Sequence, residues 1–388
     1  MIFTLIAFFV VLSILVLVHE AGHFFTARRF GVKAEEFGLG LPPRIGGVYR
    51  DEAGKLKFIG PKKIETKNTI YSLNWIPMGG FVKIKGEEGE NQIDTDSFAT
   101  KKVWQRIIIV SAGVFMNFVL AAVLLTIGLI FGSPQAIEKE LPALARVSEL
   151  KIQVVEVIPA SPAAKAEIQV GDSVVAMDST KFSKIEELQE YVSSKVGAPI
   201  KITIKRDQSE MQKEVTPLVL DETKKGGIGV ALVQTGFVSY PWYVAWWYGL
   251  GETFEMIGSV LYGFYVMLSS LIVSHQVIGE VYGPVGIASL VGDAARMGFL
   301  YILQFTAVLS VIIAVINFLP FPALDGGRVF FLIIEAIRRK PVNQKLEAMM
   351  HNLGFAFLMI LVILVTFRDI ARVSSGFLNW WQKITGLF

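Results

Sequence analysis

Two histidines and a glutamate interrupt an apolar run near the start of the chain. The run reads LVLVHEAGHFF and places His19 and His23 four residues apart, with Glu20 between them. On a helix this spacing puts both imidazoles on one face, where two ring nitrogens can converge on one metal ion. The pattern H-E-x-x-H predicts metal-assisted hydrolysis with the glutamate as general base. A histidine pair hydrogen-bonded within a helix bundle is the alternative, but ionisable groups inside apolar segments favour a functional role.

A third ligand is expected in the segment NFLPFPALDGGRVFF, residues 317–331. Two prolines interrupt a helix there, and the backbone groups that they expose are tolerated at membrane depth only in a protein-lined cavity. Asp325 follows this break directly, and an acid in that position calls for a cationic partner. The two other histidines, His275 and His351, are interpreted as interfacial or loop residues, because neither lies in a setting built for a metal.

The composition predicts a membrane protein. Of 388 residues, 53% are hydrophobic and only 18% are charged, and the mean hydropathy is +0.52, which is too apolar for an ordinary soluble protein. The net charge of +3 and the lack of a Lys/Arg-rich block argue against nucleic acid as a partner. Because the chain has no cysteine, a metal must be held by histidine, carboxylate or backbone oxygen. For the same reason, cysteine usage does not indicate whether the protein works in a reducing or an oxidising compartment.

Apolar runs of about 20 residues, enough to cross about 30 Å of hydrocarbon, divide the chain into segments. The predicted segments are a first span at 1–30 with the histidine pair, a cytosolic-side loop at 31–105, a second span at 106–132, an inserted domain at 141–232, an interfacial amphipathic region at 242–298, a third span at 299–337 and a fourth at 346–374. The stretch 242–273 is long enough to span, but it carries Glu252 and Glu255 and is rich in Trp and Tyr.

Basic residues flanking the spans predict their orientation. The groups are Arg28, Arg29 and Lys33 after the first span, Lys101, Lys102 and Arg106 before the second, and Arg338, Arg339 and Lys340 between the third and fourth. The positive-inside rule places all three on the cytosolic side and the N-terminus and inserted domain outside, although Arg368 and Arg372 run against the pattern. The first segment lacks a basic n-region and a cleavage site, so it is predicted to be a retained span. The second span runs outward and the third runs inward, so region 143–298 begins and ends outside and must cross the membrane zero or two times. This favours an interfacial position for 242–273.

The inserted domain is predicted to be small, mixed α/β and extracytoplasmic. Strand-like alternation occurs at 152–158 and 200–204, and 185–195 is an amphipathic helix. Residues 161–178, SPAAKAEIQVGDSVVAMD, resemble the PDZ signature of bacterial envelope proteases, except that Glu167 replaces the usual glycine. The resemblance implies a loop whose N–H groups bind the carboxylate of a peptide C-terminus, beside an edge strand. This loop comprises Gly227, Ile228, Gly229 and Val230. A folded spacer without a ligand is the alternative.

The HEAGH and NFLPFPALDGG motifs together resemble the site-2 protease family of intramembrane zinc metalloproteases, most closely the bacterial regulator of sigma-E protease branch. Further matches are IPMGGFVKIKGE at 76–87, GVFMN at 113–117, which resembles the G-x-x-x-N motif, and YGPVGIA at 282–288. The first of these resembles the membrane re-entrant β-loop of the family and implies a membrane re-entrant β-hairpin at about 70–87, within the cytosolic-side loop. The motifs follow in the family's order over nearly the whole chain. The main departure is that the best-known members carry two tandem PDZ domains, whereas this chain has room for one.

The resemblance implies a role for each matching residue. One zinc ion would be held by His19, His23 and Asp325, with Glu20 as the catalytic base. Substrate would be bound by Asn317, by Asn117 and by a strand edge formed by Gly79, Gly80, Phe81 and Val82, which would replace the hydrogen bonds of an unwound substrate helix.

The predicted fold is an α-helical polytopic membrane protein with about four transmembrane helices, a membrane re-entrant β-loop and one inserted α/β PDZ domain. The resemblance implies regulated intramembrane proteolysis of single-span membrane proteins after a first cleavage, in a bacterial inner membrane, with the active site near the cytosolic side. Membrane lipid is the other expected partner. Typical substrates would be anti-sigma factors, as in the sigma-E stress response, and signal-peptide remnants, with the PDZ domain as substrate filter.

Two alternatives from other functional classes are considered. A non-proteolytic PDZ membrane scaffold should lack one of the four motif residues, yet all four are present. A metal or proton transporter should show ionisable groups through both halves of the membrane and internal repeats, and neither is found in the sequence.

Overall fold

A computed structural model describes residues 2–62, 64, 66–87, 93–137, 142, 144–206, 209–219, 226–274 and 281–385. Two compact units are present, one formed by residues 1–125 with 249–388 and the other by residues 126–248. The helices are α1 Ile2–Arg29, α2 Val103–Phe131, α3 Pro162–Lys165, α4 Ile185–Ser194, α5 Trp242–Val273, α6 Pro284–Met297, α7 Phe299–Phe318, α8 Asp325–Arg338 and α9 Gln344–Thr385. The strands are β1 Ala34–Arg50, β2 Leu56–Ile59, β3 Ile70–Ile84, β4 Ser133–Ala136, β5 Arg146–Val157, β6 Ser173–Met177, β7 Ile200–Arg206, β8 Ser209–Val215, β9 Leu218–Val219, β10 Gly226–Gly227 and β11 Val230–Ser239.

Within the described residues, five helices are long and apolar enough to cross a membrane: α1, α2, α5, α7 and the Lys345–Ala371 part of α9. Four of them overlap the predicted spans, but the third predicted span, 299–337, is divided between α7 and α8. The fifth, α5, is one continuous helix of 32 residues. Its length and composition suit a span, so the interfacial position of 242–273 stays a prediction.

The helices of the first unit pack through small residues. A cluster of buried side chains joins α2 to α7 through Ala121, Ala307 and Val311, and α5 adds Met256 and Val260 to it. The predicted region 242–298 is not one element, because α6 is a separate helix. It packs along α1, with Val291 against Val11 and Leu15.

The first unit also contains a three-stranded sheet in the order β2-β1-β3. The first part of β1 lies between the two halves of the long strand β3, since Gly38 pairs with both Ser72 and Phe81. The membrane re-entrant β-hairpin predicted at about 70–87 is thus one long strand, β3, whose two halves both pair with β1. Its position in the membrane stays a prediction. Residues 80–84 form the outer edge of this sheet.

The second unit contains a six-stranded sheet in the order β4-β11-β5-β6-β7-β8, with α4 packed against it. Its core is made of aliphatic side chains that alternate along β5 and β7, including Ile152, Val154, Ile200 and Ile202. The predicted helix and strands are present, but the bounds 141–232 are too narrow. Strand β4 begins at Ser133 and β11 ends at Ser239, because β4 pairs with the second half of β11.

The turn at Glu167 keeps the conformation of a glycine. Glu167 has φ +59°, in the left-handed region, and its carbonyl accepts a hydrogen bond from the Arg206 guanidinium. Nearby, the buried Asp172 accepts two hydrogen bonds from Arg206 and one from the Gln169 N–H. Burial alone would raise the pKa of Asp172, but the Arg206 guanidinium and this N–H hold that pKa below its ordinary value.

Candidate metal centre

The two histidines of the H-E-x-x-H motif lie on the buried face of α1. His19 and His23 are 8% and 9% exposed, and their Nε2 atoms are 3.2 Å apart. The helix around them is continuous and apolar, so four-residue spacing alone brings the two rings together.

Two glycines make room for this face of α1 against α2. A β-carbon on Gly22 would lie 2.3 Å from the Ala112 carbonyl oxygen, and one on Gly113 would lie 2.4 Å from Nε2 of His23. Neither approach is compatible with a larger residue. Gly113 thus leaves the space that the imidazoles fill.

Helix α2 also orients both imidazole rings. Nδ1 of His23 is 2.9 Å from the Ile109 carbonyl oxygen, so it is the protonated nitrogen and Nε2 carries the free lone pair. The amide of the fully buried Asn117 is 3.3 Å from Nδ1 of His19. The oxygen and nitrogen of a side-chain amide have nearly the same shape and can be exchanged, and Oδ1 of Asn117 is otherwise unpaired. We therefore orient the amide so that Oδ1 accepts the Nδ1 proton, which frees Nε2 of His19 as well.

Asp325 is the first residue of α8 and follows a tight break after α7. The break contains Ala323 in the left-handed conformation, φ +78°. A β-carbon on Gly326 would lie 2.3 Å from the Phe318 and Leu319 carbonyl oxygens, and one on Gly327 would lie 2.3 Å from that of Phe321. Only glycines after Asp325 therefore allow the end of α7 to fold back against the first turn of α8.

His351 fixes the same break from α9. Its Nδ1 accepts a hydrogen bond from the Ala323 N–H at 2.9 Å, and Gly354, one turn later, packs closely on Pro322. His351 lies on a helix, so its interpretation as a loop residue is wrong. His275 lies outside the described residues.

The break brings the Asp325 carboxylate to the two imidazoles. Its Oδ2 atom is 3.0 Å from Nε2 of His19 and 3.4 Å from Nε2 of His23. This oxygen is buried, and its geometry to both nitrogens is not that of a hydrogen bond. Ligand atoms around a tetrahedral zinc ion lie about 3.3 Å apart. The three atoms therefore converge as metal ligands do. In the described part of the chain, His19, His23 and Asp325 are spaced so that together they could hold a metal ion.

Glu20 lies beside this cluster and contacts the sheet edge. Its Oε2 accepts a hydrogen bond of 2.9 Å from the Val82 N–H. Gly79 and Gly80 pack closely against Val16 and Gly38, respectively, where a β-carbon would come within 3.0 Å or less. The N–H and C=O of one strand residue point to the same side, so Val82 presents both groups to the outer edge. The predicted strand edge and the predicted base are therefore in direct contact.

The two asparagines differ in their surroundings. Asn117 is buried against His19, and its main-chain carbonyl accepts a hydrogen bond from the Ser310 hydroxyl of α7. Asn317 is partly exposed in the last turn of α7, next to Phe318, whose carbonyl abuts Gly326. It therefore lies at the corner where the chain enters the Asp325 segment, and its role in substrate binding stays a prediction.

Ion pairs connect α8 to the rest of the site. Arg328, one turn after Asp325, pairs with Glu87, just beyond the end of β3. Arg106 of α2 pairs with Glu335 of α8. These pairs fix the rotation of α8 and hence the direction of the Asp325 carboxylate. The sequence did not predict these ion pairs, nor the hydrogen bonds of the Ile109 carbonyl and of His351. No local pattern indicates contacts between residues so far apart in the chain.

The predicted carboxylate-binding loop of the second unit, 227–230, connects β10 to β11. The Ile228 carbonyl accepts from the Ala163 N–H and the Gly229 carbonyl from the Ile158 N–H, each at 2.9 Å. By contrast, the N–H groups of Ile228 and Gly229 donate to no backbone group among the described residues. β4 pairs only with residues 235–238 of β11, which leaves the edge before them without a described strand partner on that side.

The chain is similar to known proteins along most of its length. A family model described as Peptidase family M50 matches residues 7–361. A putative zinc metalloprotease of Clostridium perfringens is 35% identical over 370 residues, which cover 95% of this chain and 98% of that protein. The regulator of sigma-W protease RasP of Bacillus subtilis is 29% identical over 455 residues, covering 95% and 99%. Among solved structures, the PDZ domain of an SdrC-like protein from Listeria monocytogenes is 28% identical, covers 22% of this chain and 92% of that chain, and has a TM-score of 0.21.

Proposed function

Because the chain belongs to peptidase family M50 and is thus a zinc-dependent, membrane-embedded metalloendopeptidase of the site-2 protease type, we propose that His19, His23 and Asp325 hold its zinc ion. The convergence of three buried ligand atoms within 3.4 Å is the observation that carries this proposal. The ion supplies a Lewis acid that polarises the scissile carbonyl and makes water a stronger acid.

Glu20 is the general base in this proposal. It follows His19 directly and lies on the side of the cluster that faces the sheet edge, where its carboxylate is held by the Val82 N–H. A substrate strand that takes up this N–H releases the carboxylate, which can then accept a proton from water and return it to the leaving amine. Substrate binding and activation of the base are thereby coupled.

The edge formed by Gly79, Gly80, Phe81 and Val82 receives the substrate. A peptide bond in a membrane helix is shielded by its own hydrogen bonds and lies far from water, so the helix must unwind before hydrolysis. An edge strand replaces the lost hydrogen bonds with main-chain groups of its own. Asn317 donates its amide N–H to the substrate backbone near the scissile bond.

The substrates are membrane proteins with one span, cut after a first protease has removed their outer part. Anti-sigma factors and signal-peptide remnants fit this description, and the Bacillus relative is named for a sigma-factor pathway. The flanking basic residues support an active site near the cytosolic side of a bacterial inner membrane, with the N-terminus and the PDZ domain outside. The PDZ domain excludes substrates with bulky outer parts. The N–H groups of Ile228 and Gly229, which have no backbone acceptor among the described residues, suit a peptide carboxylate.

Cleavage of a single-span substrate by the Glu20→Gln variant tests the catalytic assignment. Reconstituted parent and variant are compared for turnover, and their zinc content is measured in the same samples. We expect lost turnover with retained zinc, because Glu20 is not a ligand. Asp325→Asn should lose both. Cleavage by Glu20→Gln at the parent rate would contradict the assignment.

Excision of the PDZ strands tests the filter. Ser133 pairs with Val238, so the ends left by removal of 134–237 are neighbours that a short Gly-Ser linker can join. The excised enzyme should cleave intact substrate as well as shortened substrate, whereas the parent should cleave only the shortened one. The same excision with Glu20→Gln is the control. If the excised enzyme cleaves only shortened substrate, the filter is ruled out.

A further inference from the structure

A basic pocket lies at the end of α1, away from the metal centre. It has a volume of about 700 Å³ and is lined by the side chains of Arg28, Lys33, Arg50 and Lys67 together with Tyr49 and Asp96. Lys67 pairs with Glu52, and Asp96 pairs with Lys85. Arg28 and Arg50 have no carboxylate partner among the described residues. The pocket therefore carries positive charge that the neighbouring chain leaves uncompensated.

Hydrogen bonds hold the walls of this pocket in place. The Lys33 ammonium donates to the Thr66 carbonyl at 2.6 Å, and the Asn68 amide donates to the Arg50 carbonyl at 2.8 Å. The Thr69 hydroxyl donates to the Ala34 carbonyl at 2.8 Å, which ties the start of β3 to β1. The cations thus stand on a preformed frame, so a ligand need not organise it.

An apolar groove continues from the basic pocket. Its volume is about 590 Å³, and Tyr71 lines both cavities. Leu39, Phe58 and Leu73 line the groove, and they are 41%, 88% and 52% exposed. Phe24 of α1 contacts one residue from each set of lining side chains: its ring is 6.1 Å from that of Tyr71, and the Arg28 guanidinium is 5.3 Å from its centre.

The two cavities lie at different depths of the membrane. Leu17 lines the groove and Arg28 lines the pocket, and eleven residues of α1 separate them. At 1.5 Å per residue the separation is about 16 Å along the helix axis. Because α1 is a membrane helix that ends at Arg28 and Arg29, the pocket lies at the headgroup level and the groove inside the hydrocarbon.

We propose that this composite site binds one anionic phospholipid, with the phosphate in the basic pocket and an acyl chain in the apolar groove. A free phosphate ion fills only the pocket and leaves Phe58 and Leu73 in contact with solvent or bulk lipid. A zwitterionic lipid brings a cation of its own toward Arg28 and Arg50, which is unfavourable. The lipid stabilises the β1–β3 sheet whose far edge contacts Glu20.

Native mass spectrometry of the detergent-solubilised full chain tests this proposal. Phosphatidylglycerol and phosphatidylcholine are titrated separately, and Arg28→Gln and Arg50→Gln are compared with Arg29→Gln. Arg29 has the same charge and nearly the same depth as Arg28 but does not line the pocket. We expect one tightly bound phosphatidylglycerol in the parent and in Arg29→Gln, and about fivefold weaker binding for each pocket variant.

Further probes separate the sources of the anionic group. Glycerophosphoglycerol, which has the same headgroup without acyl chains, and inorganic phosphate should each bind much more weakly than the lipid. Phe58→Gln should weaken binding of the lipid while leaving binding of the chain-free headgroup unchanged. Equal binding of phosphatidylcholine, an equal loss in Arg29→Gln, or unchanged binding in both pocket variants would overturn the proposal.

Discussion

Gly113 and His23 are in contact, and no larger residue than glycine fits between their helices. A β-carbon on Gly113 would lie 2.4 Å from Nε2 of His23 and 2.8 Å from Cε1 of His19. Nε2 is also the atom that faces Asp325. The presence of glycine at this position of α2 is thus a condition for the three ligand atoms to converge.

Gly113→Ala should therefore slow cleavage roughly 100-fold while leaving the fold intact. The added methyl group pushes the imidazoles away from Asp325, and a displacement of about 1 Å at a catalytic centre lowers the rate roughly 100-fold. Turnover and zinc content are measured on purified protein. Gly258→Ala in α5 is the matched control, since its β-carbon would meet nothing within 4 Å. Similar turnover in the two variants would contradict this account of α2.

Asn117 should raise the zinc affinity through His19. Asn117→Leu removes the acceptor for the Nδ1 proton, and loss of such a partner lowers metal affinity roughly 10- to 100-fold. Asn117→Asp keeps an acceptor and should retain zinc far better. Zinc retained after dialysis against a graded chelator measures the effect, with Thr306→Ala as a control for a polar loss in a neighbouring helix. If Asn117→Leu and Asn117→Asp retain zinc equally, the amide does not orient His19.

His351 should position Asp325 through the break. His351→Ala leaves the Ala323 N–H without its acceptor, at a cost of about 1–3 kcal/mol, so the break relaxes and the carboxylate moves. We expect a lower kcat with little change in KM. His351→Asn places an amide oxygen near the position of Nδ1 and should recover much of the rate. If kcat of His351→Asn is no higher than that of His351→Ala, His351 contributes through packing alone.

The sequence predicts those parts of the site that depend on local spacing. Four-residue periodicity is enough to place His19 and His23 on one face, and the prolines of 317–331 mark the break before Asp325. By contrast, Gly38 pairs with Ser72 and with Phe81, which lie far along the chain. The family resemblance predicted a β-hairpin in this region but not that both halves of β3 pair with β1. The hydrogen bond between His351 and Ala323 likewise cannot be predicted from the sequence, because a lone histidine in an apolar run belongs to no characteristic motif.

The limits of the PDZ unit show a second reason for mismatch. The predicted bounds follow the change from apolar to polar composition after the second span. Strand β4 lies before the polar region, and β11 continues past the predicted end at 232. Val238 of β11 pairs with Ser133 on one side and with Val147 of β5 on the other, so both strands belong to the sheet. Strand pairing, not composition, decides where the domain ends, and pairing partners cannot be read from one strand alone.

The pH dependence of the PDZ unit should reflect Asp172. Its pKa is lower in the folded chain than the value of about 3.9 in the unfolded one, so its contribution to stability is full above about pH 5 and is lost as the pH falls through 4. The hydrogen-exchange protection factors of residues 146–215 in the solubilised full chain, which are corrected for the pH dependence of intrinsic exchange, should fall over that window. Asp172→Asn should weaken the domain by about 1.5–3 kcal/mol near pH 7 and flatten the acid response. An unchanged acid response in Asp172→Asn would contradict the assignment.

Glu167 occupies a left-handed position that glycine adopts without strain. Glu167→Gly and Glu167→Ala both lose the ion pair with Lys213, but only alanine retains a β-carbon at φ +59°. The glycine variant should therefore be the more stable of the two, with hydrogen-exchange protection of residues 161–178 higher by roughly two- to fivefold. The Arg206 hydrogen bond to the carbonyl at this position is a main-chain contact and is available to both. Equal protection would mean that the turn relaxes out of the left-handed region when the side chain is shortened.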